Sequence, residues 1–247
     1  MRPIGFSTGA LAYDNFRKGV NILRENNISV VELSALRQRE LEPLVSALNT
    51  LNLSRFSYIS FHAPSQLEQG TEPNVVALLS EVTQRGWPII VHPDVIRDFR
   101  LWENFHELLL IENMDKRKAV GRTASELAFF FKRLPEASLC LDLGHARQVD
   151  PTMSDATLIL ERFGNRLRQV HISSVNSSST HDPLTAGALM AFGRVSHLIP
   201  NDVPIVLESP VTKDQVEAEI EFARMALPQT RHVHSAEPGL LPRRVQA

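Results

Sequence analysis

The 247-residue sequence predicts an α/β chain folded as a single-domain (β/α)8 TIM barrel, on three observations: eight short β-rich runs, helical patterns between them, and ionisable residues recurring where the runs end. Barrels of this kind reach about 250 residues as one unit, so the length fits a single domain without requiring it. A content of 43% hydrophobic and 22% charged residues is that of an ordinary globular chain with material for a core.

In chain order the runs are PIGFST (3–8), SVVELS (29–34), SYISFHA (57–63), PIIVHP (88–93), LLLIEN (108–113), SLCLDLG (138–144), RQVHIS (168–173) and PIVLES (204–209). Most are nearly continuous apolar stretches, as parallel strands covered by helices require. Their starts mostly lie roughly 20 to 35 residues apart, room for one crossover helix at each step, and eight such steps suggest closure. DNFRKGVNILREN, EPLVSALNTLN and TASELAFFFKRL, between the runs, repeat apolar residues at three- and four-residue spacing, which predicts amphipathic helices. The stretch 94–107 leaves room for only a modest helix. The last helix is expected over 213–226, with Thr212 as its N-cap. GFSTGA, after the first run, is too short a match to a Gly-rich dinucleotide fingerprint, which disfavours an open doubly wound sheet. The barrel is assigned to 1–227; the Pro- and Arg-rich stretch 228–247 loses all periodicity and is expected to be a flexible or surface-draped extension.

A formal net charge of -2 gives no global pull toward nucleic acid, although a local basic groove is compatible with it. A lone Cys140 and an opening MRPIGFSTGA without a basic-then-apolar leader predict a cytoplasmic protein. No apolar run approaches the roughly 20 residues of a membrane-spanning helix.

Polar residues fall where a buried strand should not carry them. The third run ends in His62, the fourth in His92, the fifth in Glu112, the sixth in Asp142 with His145 just beyond, the seventh in His171 and the eighth in Glu208; Glu32 holds a comparable place in the second. Desolvating unpaired charges costs several kcal/mol, in the range of about 3–5 when a partner is missing. In a barrel these ends converge on one rim. Converging carboxylates and imidazoles need protons or a cation to compensate them, and the Asp, Glu and His mixture favours zinc, manganese, iron or cobalt over calcium. Each residue alone has a blander reading: a lone His as a hydrogen-bonded structural residue, Glu112 or Asp142 as a helix cap, Gly144 as a turn former. The joint pattern favours the site. His106, His197, His232 and His234 fall in predicted helices or the tail and are assigned no role.

FHAPS (61–65), VHPD (91–94), LIENMD (110–115), CLDLGHA (140–146), VHIS (170–173) and LES (207–209), in this order on successive strands, resemble the xylose isomerase-like TIM-barrel superfamily, which includes sugar phosphate isomerases and epimerases and endonuclease IV-type enzymes acting at abasic DNA sites. The resemblance covers about 1–226. It implies one divalent metal held by Glu112, Asp142, His171 and Glu208, with Glu112 and Glu208 as the catalytic carboxylates moving a proton at each face of a carbon next to a metal-polarised carbonyl. The endonuclease-type members hold three zinc ions. For them the resemblance implies added ligands at His62, His92, His145 and His181, while Ser179 stands where the family has an aspartate and Asp182 is a displaced substitute.

Two site models follow: one metal with His62, His92, His145 and His181 as substrate contacts, or two to three metals suited to phosphodiester hydrolysis. The isomerase or epimerase reading, with a carbohydrate-like small-molecule substrate, is placed first. The phosphodiester hydrolase, with nucleic acid as partner, comes second. A barrel kept as a binding scaffold comes third. Lys116, Arg117, Lys118 and Arg122 form a cluster that either binds phosphate or is a solvated loop; Glu32 either contacts substrate hydroxyls or ties down its loop; Phe6, Phe61 and Trp102 are candidate apolar walls or core residues.

Overall fold

The computed structural model describes residues 2–229. Eight parallel strands close into a barrel: β1 (Ile4–Ser7), β2 (Val30–Ser34), β3 (Tyr58–His62), β4 (Ile89–Val91), β5 (Leu109–Glu112), β6 (Ser138–Asp142) and β7 (Leu167–Ile172), with β10 (Ile205–Leu207) returning to pair with β1. A small antiparallel pair, β8 (Ser174–Val175) and β9 (His181–Asp182), projects after β7. Outside lie α1 (Thr8–Ala12), α2 (Phe16–Glu25), α3 (Gln38–Ala47), α4 (Glu72–Thr83), α5 (Phe99–Trp102), α6 (Ala124–Arg133), α7 (Leu143–Val149), α8 (Ser154–Phe163), α9 (Ala186–Gly193) and α10 (Val216–Ala226). None of the described helices is long and apolar enough to cross a membrane.

Each strand matches its predicted run, with ends moved by a few residues. β4 stops at Val91 and β10 at Leu207, so His92 and Glu208 lie one residue past their strands, while β7 runs one residue beyond His171. The short segment before β5 holds α5 and 3-10 turns, as its length predicted. Thr212 does cap, but it caps the 3-10 turn Lys213–Gln215 through a reciprocal bond with Gln215, and α10 begins only at Val216. The expected extension from 228 onward falls, apart from 228–229, outside the described residues.

Strand side chains alternate between the helix layer and the lumen. Val31, Leu33, Phe61, Val91, Ile111, Leu139, Leu141, Val170, Ile172 and Leu207 join the helices in one large apolar core. The second apolar cluster is small, Ile90, Leu110 and Cys140, and the same phase carries Glu32, Ser60, His62, Glu112, Asp142, Gln169 and His171. The helix layer therefore supplies most of the hydrophobic stabilisation, leaving the lumen free for polar groups.

One irregularity sets the phase of β7. Leu139 pairs with Leu167, but Cys140 pairs with Gln169 and Asp142 with His171, so Arg168 is an extra, exposed residue. Without that bulge this sequence would turn Arg168 and Val170 toward the lumen and His171 into the helix layer.

A candidate metal centre at the C-terminal rim

The centre is built from strand ends locked to one another. Asn113, directly after β5, donates its Nδ2 to the Asp142 carbonyl (2.8 Å) and accepts the Asp142 N–H at Oδ1 (2.7 Å), fixing Glu112 against Asp142. Its own carbonyl accepts from His145 Nδ1 (3.0 Å). Asp142 also caps α7, its Oδ1 accepting the His145 N–H at 2.6 Å, so the capping reading and the site reading hold together. Gly144 is required by close approach, since a Cβ there would lie 2.8 Å from the Ser173 carbonyl oxygen.

Glu112, only 1% exposed, stands between two groups. Its Oε2 is 3.2 Å from His62 Nε2 and 3.4 Å from His92 Nε2. Its Oε1 is 3.3 Å from His145 Nδ1 and 3.5 Å from His171 Nδ1. His171 Nδ1 is in turn 3.6 Å from Glu208 Oε2. Among the described residues three overlapping sets meet the geometry for a cation, with candidate ligand atoms all within 4.8 Å: Glu112, Asp142, His171 and Glu208; His62, His92 and Glu112; and His62, His171 and Glu208.

The buried atoms fit a cation. Glu112 Oε1, Asp142 Oδ2 and His171 Nδ1 have no hydrogen-bond partner. Buried polar atoms are rarely left so, and these three belong to one candidate ligand set. Among the described residues, the ion partners of Glu32, Glu112, Asp142 and Glu208 are all histidines, never Lys or Arg.

The titration behaviour reflects this crowding. Burial would lower His62 and His145, but Glu112 bonded to the first and Asp142 and Glu112 beside the second push them up to about 9 and about 10. Burial, reinforced by Glu208 and Glu112, raises Asp142 to about 6. Burial and the His145 charge hold His181 down to about 4. Burial opposes ionisation of Glu112, yet the surrounding imidazoles keep it well below the usual carboxylate range.

A cavity of about 860 Å³ opens over the centre and is lined by His62, His92, Glu112, His145, His181 and Glu208. Tyr13, Arg37, Arg117 and Lys118 also line it, whereas Asp142 and His171 lie beneath. Arg117 is paired with Asp115 and Lys118 with Asp94. Lys116 does not reach the cavity: its side chain is exposed and its N–H donates to Gln148. Arg122 pairs with Glu126 along α6. Glu32 contacts neither substrate space nor its own loop; it is fully buried in the lumen against His171. Phe6, Phe61 and Trp102 are core residues, with Trp102 Nε1 donating to Glu72.

His181 rides on the β8–β9 hairpin, bonded through Nδ1 to Ser173 Oγ at 2.7 Å. Ser179 is turned away, exchanging hydrogen bonds with Gln148, and Asp182 accepts from Asn176. Among the described residues no candidate ligand set contains His145, Ser179, His181 or Asp182. Residues not anticipated from sequence are Tyr13, Arg37, Asn113 as a strand clamp, Gln148 and Gln169. Gln169 alone had a usable signal, two residues from His171 on one strand face.

The fold and the position of the centre define a (β/α)8 barrel with a polar cluster of candidate metal ligands at its C-terminal rim. No protein-family model matches the sequence, and no curated protein is significantly similar to it. Solved structures do share the fold. Endonuclease IV from Thermus thermophilus is 19% identical with a TM-score of 0.59, covering 92% of this chain and 99% of that one. A protein from Anabaena variabilis assigned as a sugar phosphate isomerase/epimerase is 16% identical with a TM-score of 0.53 over 98% and 93%. A xylose isomerase domain-containing protein from Salmonella typhimurium is 13% identical with a TM-score of 0.58 over 92% and 98%. At these identities the likeness is one of fold.

Proposed function

We propose that the chain is a divalent-metal-dependent enzyme that hydrolyses a phosphate ester, with Glu112, Asp142, His171 and Glu208 as the residues that would hold one cation and His62 and His92, with Glu112, those that would hold a second. The observation that carries this reading is the division of labour within one carboxylate: Oε2 faces His62 and His92, Oε1 faces His145 and His171, and Glu112 belongs to a candidate ligand set on each side. When bound, a pair of divalent cations supplies Lewis-acid chemistry, activating water and neutralising a leaving oxygen. Glu208, 11% exposed and lining the cavity, is placed to accept a hydrogen bond from an attacking water. Arg37, Arg117 and Lys118 stand at the cavity wall, each already paired with a carboxylate, Glu40, Asp115 and Asp94, so an anionic substrate would have to share them. The structural likeness to endonuclease IV supports this chemical class.

Sugar-phosphate isomerisation is the second reading, supported by the complete Glu112, Asp142, His171 and Glu208 set. It requires Glu112 to work as a base toward substrate, yet both its oxygens face imidazoles and it is almost wholly buried. That argument places hydrolysis first.

The test is elemental analysis of the zinc- or manganese-reconstituted protein, followed by assays with bis(p-nitrophenyl) phosphate, p-nitrophenyl phosphate and an abasic-site duplex. About two metals per chain and release of product from at least one ester are expected. One metal per chain, no ester cleaved and turnover of a sugar phosphate would establish the second reading instead.

A further inference from the structure

We infer that Glu32 is a positioning residue for the metal centre: from the lumen beneath the site it fixes the orientation and tautomer of His171 and supplies a fourth negative charge. The inference rests on the metal-centre reading above and concerns a residue that no substrate can touch, since Glu32 is fully buried and does not line the cavity.

Its Oε2 lies 2.8 Å from His171 Nε2 and accepts from Gln169 Nε2 at 2.6 Å; Tyr58 donates to Gln169 Oε1 at 2.8 Å. An imidazole has one proton to place when neutral. Gln169 Nε2 also lies 2.7 Å from His171 Nε2 and competes to donate to it, but the charged carboxylate of Glu32 draws the Nε2 proton, which leaves the lone pair on Nδ1, the atom that faces Glu112 and Glu208 without a hydrogen bond. His62 and His145 solve the same problem differently, each directing Nδ1 to a backbone carbonyl, of Ala63 and Asn113. His171 is oriented by a full charge, which also makes it a more basic ligand.

The charge count agrees. Glu32, Glu112, Asp142 and Glu208 carry four negative charges when ionised, and two divalent cations carry four positive ones. Glu32 also pairs with His171 within the fold, so Glu32→Gln leaves a buried imidazole without its charged partner and lowers the stability of the metal-free protein as well. Zn²⁺ affinity, and not stability, is therefore the readout that separates a metal role from a structural one for Glu32→Gln.

The experiment is calorimetric titration of metal-free wild type, Glu32→Gln and Glu32→Asp with Zn²⁺ alone, alongside thermal melting of each metal-free protein. Wild type is expected to take up two ions. Glu32→Gln should weaken one of the two binding steps about 10- to 100-fold, as loss of an outer partner does, whereas a role confined to stability would lower the metal-free melting temperature and leave Zn²⁺ affinity unchanged. Glu32→Asp, which keeps the charge, should recover part of that affinity even if Glu32→Gln folds poorly. Equal Zn²⁺ affinity in wild type and Glu32→Gln, or a Glu32→Asp variant as weak as Glu32→Gln, overturns the inference while leaving the metal centre standing. A wild type that takes up no Zn²⁺ removes both.

Discussion

Glu112 Oε2 and His62 Nε2 lie 3.2 Å apart across the barrel lumen, joining the end of β5 to the end of β3. Glu112 is a member of two of the three candidate ligand sets, one with His62 and His92 and one with Asp142, His171 and Glu208. Glu112→Gln keeps the shape of the side chain but removes the shared charge. We expect it to fold, to lose metal at both positions and to lower turnover by more than about 100-fold, because outer partners of such ligands alone are worth about 10- to 100-fold. Retention of two tightly held ions by this variant would contradict the bridging role.

His62 and His92 share one set with Glu112, and His92 belongs to no other. The double variant His62→Ala/His92→Ala should cut metal content from about two ions per chain to about one, with the Asp142 and His171 set still occupied. Plasma emission analysis reads this directly; two ions retained would assign these histidines to another task.

Proton linkage gives a third expectation. His62 and His145 sit at about 9 and about 10 in the metal-free protein, so both are protonated at neutral pH. Because their folded values lie above the ordinary histidine value, they contribute stability that is complete below about pH 6.5 and lost as pH rises through 9 to 10. A cation competes with those protons. Binding at pH 7 should therefore release protons, tighten as pH rises toward 9, and weaken as pH falls through about 6, where Asp142 protonates. Zn²⁺ titrations in buffers of different ionisation enthalpy would reveal the release; pH-independent affinity would contradict it.

Glu72 holds the segment after His92. Its Oε1 accepts from the Arg97 N–H (2.8 Å), the Asp98 N–H (3.2 Å) and Trp102 Nε1 (2.8 Å). Glu72→Ala should cost about 2–3 kcal/mol, as expected when buried donors lose a charged acceptor. Urea denaturation measures this, and a change below about 0.5 kcal/mol would show that the segment holds itself.

Gly121 has φ +82°, and a Cβ there would lie 2.4 Å from Cγ of Pro93, the residue after His92. Gly121→Ala therefore combines backbone strain with a clash. It should destabilise by about 1–3 kcal/mol and loosen metal at the His62 and His92 position ahead of the other. Thermal melting and metal retention under a chelator check the two effects; unchanged stability would mean that the loop relaxes freely.

Much of the fold was legible because both determinants are local: apolar runs of strand length and amphipathic spacers of helix length. The polar strand ends were legible for the same reason, since a carboxylate in LLLIEN or a histidine in SYISFHA has no place in a dry strand. What escaped depends on relations between strands. The lumen position of Glu32 could be read from its strand phase, but its partnership with His171 requires knowing that β2 and β7 face each other across a closed barrel. The fate of Lys116 escaped too, because neighbours in a loop sequence do not share a direction. Trp102, a candidate wall from its type, is set by a bond to Glu72 thirty residues away. The choice between isomerisation and hydrolysis escaped as well, because the sequence shows which residues reach the rim but not which imidazoles each Glu112 oxygen faces.

The extra residue in β7 has a consequence for how tolerant this barrel is of length change. Arg168 is exposed, bonded only to carbonyls of its own neighbourhood, and sits below the point where Gln169 pairs with Cys140. Removing it would let Gln169 follow Leu167 directly while keeping His171 beside Asp142. Elsewhere in these strands a one-residue deletion inverts everything downstream; here the chain carries a slack link, and the chemistry above it is insulated from editing below.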